Sequence, residues 1–198
     1  MSTPAEKRAA GDARDRRLLD AALAKFARFG FRKTSMEEVA RAARLSRQGL
    51  YLHFATKEEL FREVVRHFLD TGLDGARRRL GDPTATVEQR LLGAFDEWVG
   101  RYVGMLGADV TDLQEASDAL VGELVSEREE RFLSHVTKAI RASKLPGAYK
   151  PAGLTARQLA ENLNATARGL KRGCPSREAF QQRFSVAVRA LCLPLRDR

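Results

Sequence analysis

The chain of 198 residues carries 35 Lys and Arg against 26 Asp and Glu, a formal net charge of +9. Its 43% hydrophobic and 31% charged residues are typical of a globular protein of one or two domains and exclude a disordered tail. No apolar run approaches the roughly 18 residues of a membrane span, the charged first segment lacks a signal peptide's apolar stretch, and only two cysteines are present, so we expect a cytoplasmic protein with no membrane contact.

Helical periodicity runs through the sequence without a convincing stretch of period-2 alternation, so the predicted fold class is all-α with about nine helices. A first helix is expected over about 13–29, and Gly30 should end it because glycine adopts the left-handed conformation at little cost. One buried face of this helix is predicted from the apolar stripe Leu18, Ala22, Phe26 and Phe29.

Two short helices joined by a three-residue turn should follow. The second helix should start at Thr34 or Ser35, because Thr34 with Glu37 and Ser35 with Glu38 both fit a capping box, and it should end near Ala43. Ser46 is the expected N-cap of a third helix over about 47–54. This is the helix-turn-helix arrangement, whose second helix enters the major groove of DNA. The 13 Lys and Arg against 8 Asp and Glu in residues 1–60 favour a polyanionic partner, with an ordinary solvated surface as the alternative.

Most of the later helices are expected to be longer. Thr56 and Glu59 form a capping box that opens a fourth helix to about residue 79, and Gly81-Asp82-Pro83 should break it. A loop is expected over 144–154, which holds two prolines and two glycines. The remaining predicted helices cover about 84–106, 108–117, 120–143, 155–171 and 176–193.

The segment from Thr34 to Phe61 resembles the signature of the TetR (tetracycline-repressor-like) family of bacterial regulators. The matching residues are Thr34, Val39-Ala40, Ser46, Leu50-Tyr51-Leu52-His53-Phe54 and Lys57-Glu58-Glu59-Leu60. Beyond residue 60 the resemblance rests on length and helix order. It implies a homodimer in which residues 1–56 form a helix-turn-helix DNA-binding domain. Residues 57–198 would form a helical ligand-binding and dimerisation domain, with the fourth helix as connector.

Carried over by position, the resemblance implies base contacts from Arg47, Gln48 and Tyr51, and Arg and Gln carry the donors and acceptors that match guanine and adenine edges. The implied phosphate contacts come from Thr34, Arg44, Tyr51, His53 and Lys57. Two positions depart from the family pattern. Arg44 stands where a turn glycine is preferred, which costs roughly 1–2 kcal/mol if the residue is left-handed, and Gly49 replaces a frequent Ser or Thr.

The second domain offers candidates for a ligand pocket and for a dimer contact. An aromatic-rich helix face and a facing stripe favour either core packing or a pocket, and the candidate lining residues are Phe95, Trp98, Tyr102, Met105, Phe132 and His135. The last two helices are the predicted homodimer contact, as part of a four-helix bundle. Their apolar residues are Leu159, Leu163, Ala167, Leu170, Phe180, Phe184, Val188 and Leu191.

The predicted function is a ligand-responsive transcriptional regulator that binds palindromic operator DNA and is released by a small hydrophobic or amphipathic effector. A repressor is favoured over an activator. An architectural DNA-binding protein without a ligand, and a small helical enzyme or carrier, are the alternatives. The aromatic second domain argues against the first and the lack of converging titratable residues against the second, so no enzyme is expected. Glu63 and His67 have metal-ligand spacing without an evident third ligand; we expect no metal and no cofactor.

Overall fold

The computed structural model describes residues 4–105 and 110–195, and the regular structure of this part of the chain is entirely helical. The all-α fold class is thereby confirmed. In these described ranges, 3-10 helices cover Gly100–Tyr102, Lys150–Ala152 and Leu193–Leu195. The α-helices are α1 (Pro4–Phe29), α2 (Met36–Ala42), α3 (Arg47–Tyr51), α4 (Lys57–Leu80), α5 (Val87–Trp98), α6 (Val110–Arg141), α7 (Leu145–Tyr149), α8 (Ala156–Gly173) and α9 (Arg177–Cys192).

The predicted helix starts are confirmed where a side chain caps the free amides. Of the two capping boxes that the sequence allows at α2, the structure has the one formed by Ser35 and Glu38. Thr155 forms another with Gln158 at α8. Ser176 accepts the backbone N–H of Ala179 at the start of α9. Each cap lies within three residues of its partner, which is why it is readable from sequence.

Several predicted boundaries were wrong. The helices expected over 108–117 and 120–143 are one helix, α6, because no proline or glycine interrupts the chain between them. The helix expected to reach residue 106 ends at Trp98. The predicted loop over 144–154 contains α7, which tolerates Pro146 because the first turn needs no backbone donor there.

The chain divides into two compact units, Met1–Phe68 with Met105–Leu124 (unit 1) and Leu69–Gly104 with Val125–Arg198 (unit 2). The boundary predicted after residue 56 therefore falls inside unit 1. This division differs from the prediction because the beginning of α4 and the first half of α6 pack with the amino-terminal helices.

The core of unit 1 forms beneath α2 and α3. The rings of Phe26, Phe31 and Phe61 lie with centroids 5.1–5.9 Å apart. Buried side chains from α1 to α4 surround them, namely Leu18, Ala22, Val39, Ala40, Leu50 and Leu60. Phe29, predicted to belong to the buried stripe, is exposed instead, and the cations of Lys25 and Arg28 lie over its ring. The remaining stripe residues hold α1 against the two short helices.

The core of unit 2 is an aromatic cluster. The ring of Phe95 lies 5.0 Å from Phe132 and 4.8 Å from Phe184, centroid to centroid, and Phe180 stacks on Phe184. This overturns the dimer contact predicted on these faces of α8 and α9. The residues that are buried inside the single chain are Leu159, Leu163, Ala167, Phe180, Phe184, Val188 and Leu191, while Leu170 is half-buried. An apolar stripe has the same period whether it packs on its own chain or on a partner.

Candidate nucleic-acid interface

A tight turn sets the position of α3 relative to α2. Arg44 has a positive φ of 57°, and the backbone N–H of Leu45 donates to the carbonyl of Ala40 over 2.8 Å. This is the left-handed helix ending that glycine usually supplies. Arg44 therefore adopts the left-handed backbone that the family pattern assigns to glycine at this position. Its side chain is exposed at the turn.

The cap of α3 explains the second departure from the family pattern. Ser46 Oγ accepts the backbone N–H of Gly49 over 2.9 Å. A Cβ on Gly49 would lie 3.0 Å from that same oxygen, closer than side-chain carbons normally approach. Glycine therefore leaves the capping hydroxyl undisturbed, although it lowers the helix propensity of this short element by about 1 kcal/mol relative to alanine.

The outward side of α3 presents the residues predicted to contact bases. Leu50 is completely buried and fixes which face of the helix turns inward. Arg47, Gln48 and Tyr51 are exposed, and the guanidinium carbon of Arg47 lies 5.7 Å from the centroid of the Tyr51 ring. Such a cation–π contact restricts the arginine while leaving its donors free to point outward. The three side chains are thus available together on one surface.

The predicted phosphate contacts are not equally accessible. Thr34 is buried, and its hydroxyl donates to the carbonyl of Gly30 over 2.7 Å. This corrects the prediction for Thr34, because the hydroxyl already closes the end of α1. His53, like Arg44 and Tyr51, is exposed. A histidine in that setting can donate to a phosphate without losing an internal bond.

Lys57 has an internal role that the sequence did not indicate. Its Nζ donates to the carbonyl oxygens of Phe31 at 3.0 Å and Arg32 at 3.4 Å, and it lies 4.5 Å from the centroid of the Phe31 ring. The side chain is half-buried at the first residue of α4. Lys57 therefore ties the start of α4 to the segment that follows α1, and this tie exists without any phosphate.

A second tie reaches the same segment from α6. The backbone N–H of Arg32 donates to Asp112 Oδ2 over 2.8 Å, and its guanidinium lies 3.3 Å from Asp112 Oδ1 and 2.9 Å from Glu115 Oε2. Asp112 is buried, which strengthens its contact with the amide. These partners lie 80 and 83 residues apart in sequence, so no local pattern could have revealed them. Arg32 is thus held by Lys57 at its carbonyl and by Asp112 at its amide.

The residues predicted to line a ligand pocket mostly form packed core. Trp98 stacks on Phe132 with ring centroids 4.9 Å apart, and Phe132 packs against Phe95. Tyr102 is buried, and burial raises the pKa of its hydroxyl above the ordinary value. Met105 is exposed and His135 is half-buried. Space between these rings would open only if they moved.

A groove does lie elsewhere in unit 2, between the segment after α6 and the last two helices. Its volume is about 510 Å³, and it is lined by Tyr149, Leu154, Gln158, Leu159, Asn162, Leu163, Ala187, Ala190 and Leu191. The hydroxyl of Tyr149 donates to the carbonyl of Leu191 over 2.9 Å and anchors α7 at the edge of the groove. The sequence assigned part of this lining to a dimer contact.

Within residues 4–105 and 110–195, no three His, Cys, Asp or Glu side chains cluster closely enough to hold a metal ion. None of the helices in the same described ranges combines the length and apolar character needed to cross a membrane.

Comparison with known proteins supplies the context for this surface. Residues 18–64 match the family model described as bacterial regulatory proteins, tetR family. The chain is 42% identical over 90 residues to the HTH-type transcriptional repressor KstR2 of Mycobacterium tuberculosis, a match that covers 44% of each chain. The chain thus matches less than half the length of this curated relative.

Solved structures resemble a larger share of the chain. The ketosteroid transcriptional regulator KstR2 of Mycobacterium tuberculosis superposes with a TM-score of 0.61 at 26% identity, covering 87% of this chain and 93% of that one. The fatty acid degradation regulator FadR of Bacillus halodurans gives a TM-score of 0.64 at 16% identity, covering 88% of this chain and 96% of the FadR chain. AibR, solved with isovaleryl coenzyme A and operator DNA, gives a TM-score of 0.61 at 20% sequence identity. This match covers 87% of this chain and 96% of the AibR chain.

Proposed function

We propose that the chain, whose residues 18–64 match the family model of tetR-type bacterial regulatory proteins, is a TetR-family, ligand-responsive transcriptional repressor that binds palindromic operator DNA as a homodimer. A repressor of this kind acts on the bacterial chromosome, which assigns it to the cytoplasm. The proposal rests first on the outward side of α3, where Arg47, Gln48 and Tyr51 are exposed on a capped, rigidly positioned helix. Arg and Gln there offer the hydrogen-bonding pattern for direct reading of guanine and adenine.

The central experiment is selection of binding sites from random duplex DNA, followed by affinity measurements on the selected duplex and a scrambled one over a salt series. We expect Arg47→Ala to weaken binding to the selected duplex by about 1–3 kcal/mol and to leave the scrambled duplex much less affected. Arg141→Ala, an exposed arginine near the end of α6, is the matched control and should change neither affinity. Equal losses on both duplexes would make Arg47 a phosphate contact, and selection of no sequence would refute the proposed function.

The homodimer is proposed through the outward faces of α8 and α9, because their inward faces already pack inside unit 2. Uncharged residues recur there at helical spacing and are exposed: Asn162, Ala165 and Gly169 on α8, and Val186, Ala190 and Leu193 beside them. Asn162 and Ala190 both line the 510 Å³ groove, so the two uncharged faces are continuous. Depletion of charge is the compositional mark of interface centres, which favours this face as the contact with a second copy.

The effector is proposed to be a small hydrophobic or amphipathic molecule that binds in unit 2. AibR, solved with both isovaleryl coenzyme A and operator DNA, supports a ligand response on this fold. The stacked rings of Trp98 and Phe132 would have to separate to admit a ligand beside Tyr102. The ligand would therefore bind the separated conformation of the protein more tightly than the stacked one. Repeating the selection with pools of small amphipathic molecules tests this part, since an effector must lower the affinity for the selected duplex.

A further inference from the structure

Leu52 carries an unusual amount of exposed apolar surface beside the residues proposed to read DNA. Its side chain is 83% exposed, against 41% for Tyr51 and 57% for Val186. It follows the last residue of α3, but its φ of −70° and ψ of −24° are helical. Its backbone N–H donates to the carbonyl of Gln48 over 3.1 Å. The orientation of Leu52 is therefore set by the helix and not by a loose loop.

Helical geometry places Leu52 at the centre of the outward face. Each residue turns the helix by about 100°, so residues two before and two after a given position both lie nearly opposite it. Leu50 is completely buried, and Gln48 and Leu52 are its two opposite neighbours. Arg47 and Tyr51, joined by their cation–π contact, lie to one side of that line. Gln48 and Leu52 thus form the outermost row of α3, one helical turn apart.

We infer that Leu52 is a specificity-determining residue that reads the 5-methyl group of a thymine in the major groove; this rests on the proposed function of α3 in DNA binding. An aliphatic side chain has no donor or acceptor for a phosphate or for the polar edges of bases. The thymine methyl is the one apolar group that base pairs present in the major groove, and it is recognised by apolar contact. Gln48, one turn away, matches the adenine edge, so the row predicts an adenine and a thymine as near neighbours in each half-site.

The energetic reason is removal of apolar surface from water. Contact between the leucine methyls and a thymine methyl buries about the area of one methylene group on each side. Such burial is worth roughly a 3- to 10-fold change in affinity. Truncation of Leu52 removes little internal contact, because the residue is 83% exposed. The substitution therefore reports on DNA binding with little change in folding stability.

The test uses the full chain and a duplex that it selects from a random pool, in which single thymines are replaced by deoxyuridine to remove only the methyl group. Affinities are measured for the unaltered protein and for Leu52→Ala. We expect one thymine in each half-site at which deoxyuridine weakens the unaltered protein about 3- to 10-fold. Leu52→Ala should bind the thymine duplex more weakly by a similar factor and should no longer distinguish thymine from deoxyuridine there.

Leu52→Ile keeps an aliphatic side chain and is the matched variant, since it should retain most of the methyl dependence. Thermal unfolding of all three proteins should coincide. If deoxyuridine weakens the unaltered protein and Leu52→Ala equally at every thymine, or weakens neither anywhere, the inference about Leu52 is overturned while the proposed function stands. If the unaltered protein selects no sequence from the pool, both are overturned.

Discussion

Arg44 has a strained backbone in the turn before the proposed DNA-reading helix. Among the described residues it is the one non-glycine position with a positive φ, and the bond from Leu45 to Ala40 requires that backbone. The left-handed conformation costs an L-residue about 1–2 kcal/mol. Glycine would adopt this conformation without that cost, but it has no charged side chain. We propose that Arg44 recovers this cost by contact with a DNA phosphate, as part of the proposed function.

Arg44→Gly should raise the free energy of unfolding by up to about 1 kcal/mol, because relief of the strained backbone exceeds the extra entropy of glycine in the unfolded chain. The same variant should lose DNA affinity on all sequences alike, with the salt slope reduced by about one. Urea unfolding and a salt series measure the two effects. Arg41→Gly, inside α2, should instead lower stability by about 1 kcal/mol. An Arg44→Gly variant that is less stable than the parent would contradict the assignment of strain.

At the scale of elements, the segment joining α1 to α2 is held from two sides. Lys57 at the start of α4 donates to its carbonyl oxygens, and Asp112 in the first turn of α6 accepts its amide. All of these contacts lie inside unit 1, while α4 and α6 both continue into unit 2. A displacement along either helix would therefore act directly on the segment that positions α2 and α3. Coupling through such ties needs two discrete arrangements of the helices, each favoured by a different ligand.

Asp112→Ala should lower the free energy of unfolding by about 1–3 kcal/mol, because it removes the charged acceptor of a backbone N–H. Asp112→Asn should cost less, since its amide oxygen can still accept the Arg32 N–H. Glu115→Ala removes only the exposed partner of Arg32 and should change stability by less than about 1 kcal/mol. Urea unfolding of the three variants gives the order. Equal free energies of unfolding for Asp112→Ala and Glu115→Ala would show that the contact of Asp112 with the Arg32 amide does not stabilise the fold.

Local signals were predictable from the sequence, and long-range ones were not. The caps at Ser35, Ser46 and Thr155 follow from neighbours three residues away, and the structure has all three. The buried side of α3 is likewise predictable, because Leu50 is an apolar residue between the polar residues of that helix. By contrast, Thr34 was predicted to contact a DNA phosphate. Its hydroxyl instead donates to the carbonyl of Gly30, a bond that depends on how the chain leaves α1. The contact of Arg32 with Asp112 joins residues 80 apart, for which a single sequence holds no signal.

At the scale of the whole molecule, α9 uses different residues for folding and for the proposed assembly of the dimer. The inward residues of α9 complete the core of unit 2, and the outward residues are left for the proposed partner copy. Two linked reading helices are needed for a palindromic site whose half-sites lie a helical turn of DNA, about 34–36 Å, or a multiple of it apart. Loss of the dimer should therefore weaken operator binding even when each chain remains folded.

Val186→Glu should convert the dimer into a folded monomer and weaken binding to the selected duplex, because it places a charge at the centre of the proposed interface. Phe184→Ala, two residues away but fully buried, should instead destabilise the chain by about 3–5 kcal/mol. Light scattering gives the mass, and circular dichroism with thermal unfolding gives the state of the fold. A Val186→Glu protein that keeps the dimer mass and normal DNA affinity would remove the outward face of α9 from the interface.

The two faces of α9 also bear on how duplicated genes for such regulators can diverge. A substitution at an outward position such as Val186 or Ala190 leaves the packing of Phe184 and Val188 untouched. After a gene duplication, the outward residues of each copy can change without loss of folding, provided that each copy still pairs with itself. A few charges or bulky groups that clash in the mixed pair are enough to exclude it. Sister regulators can thereby stop pairing with each other before their folds or their operator preferences have changed.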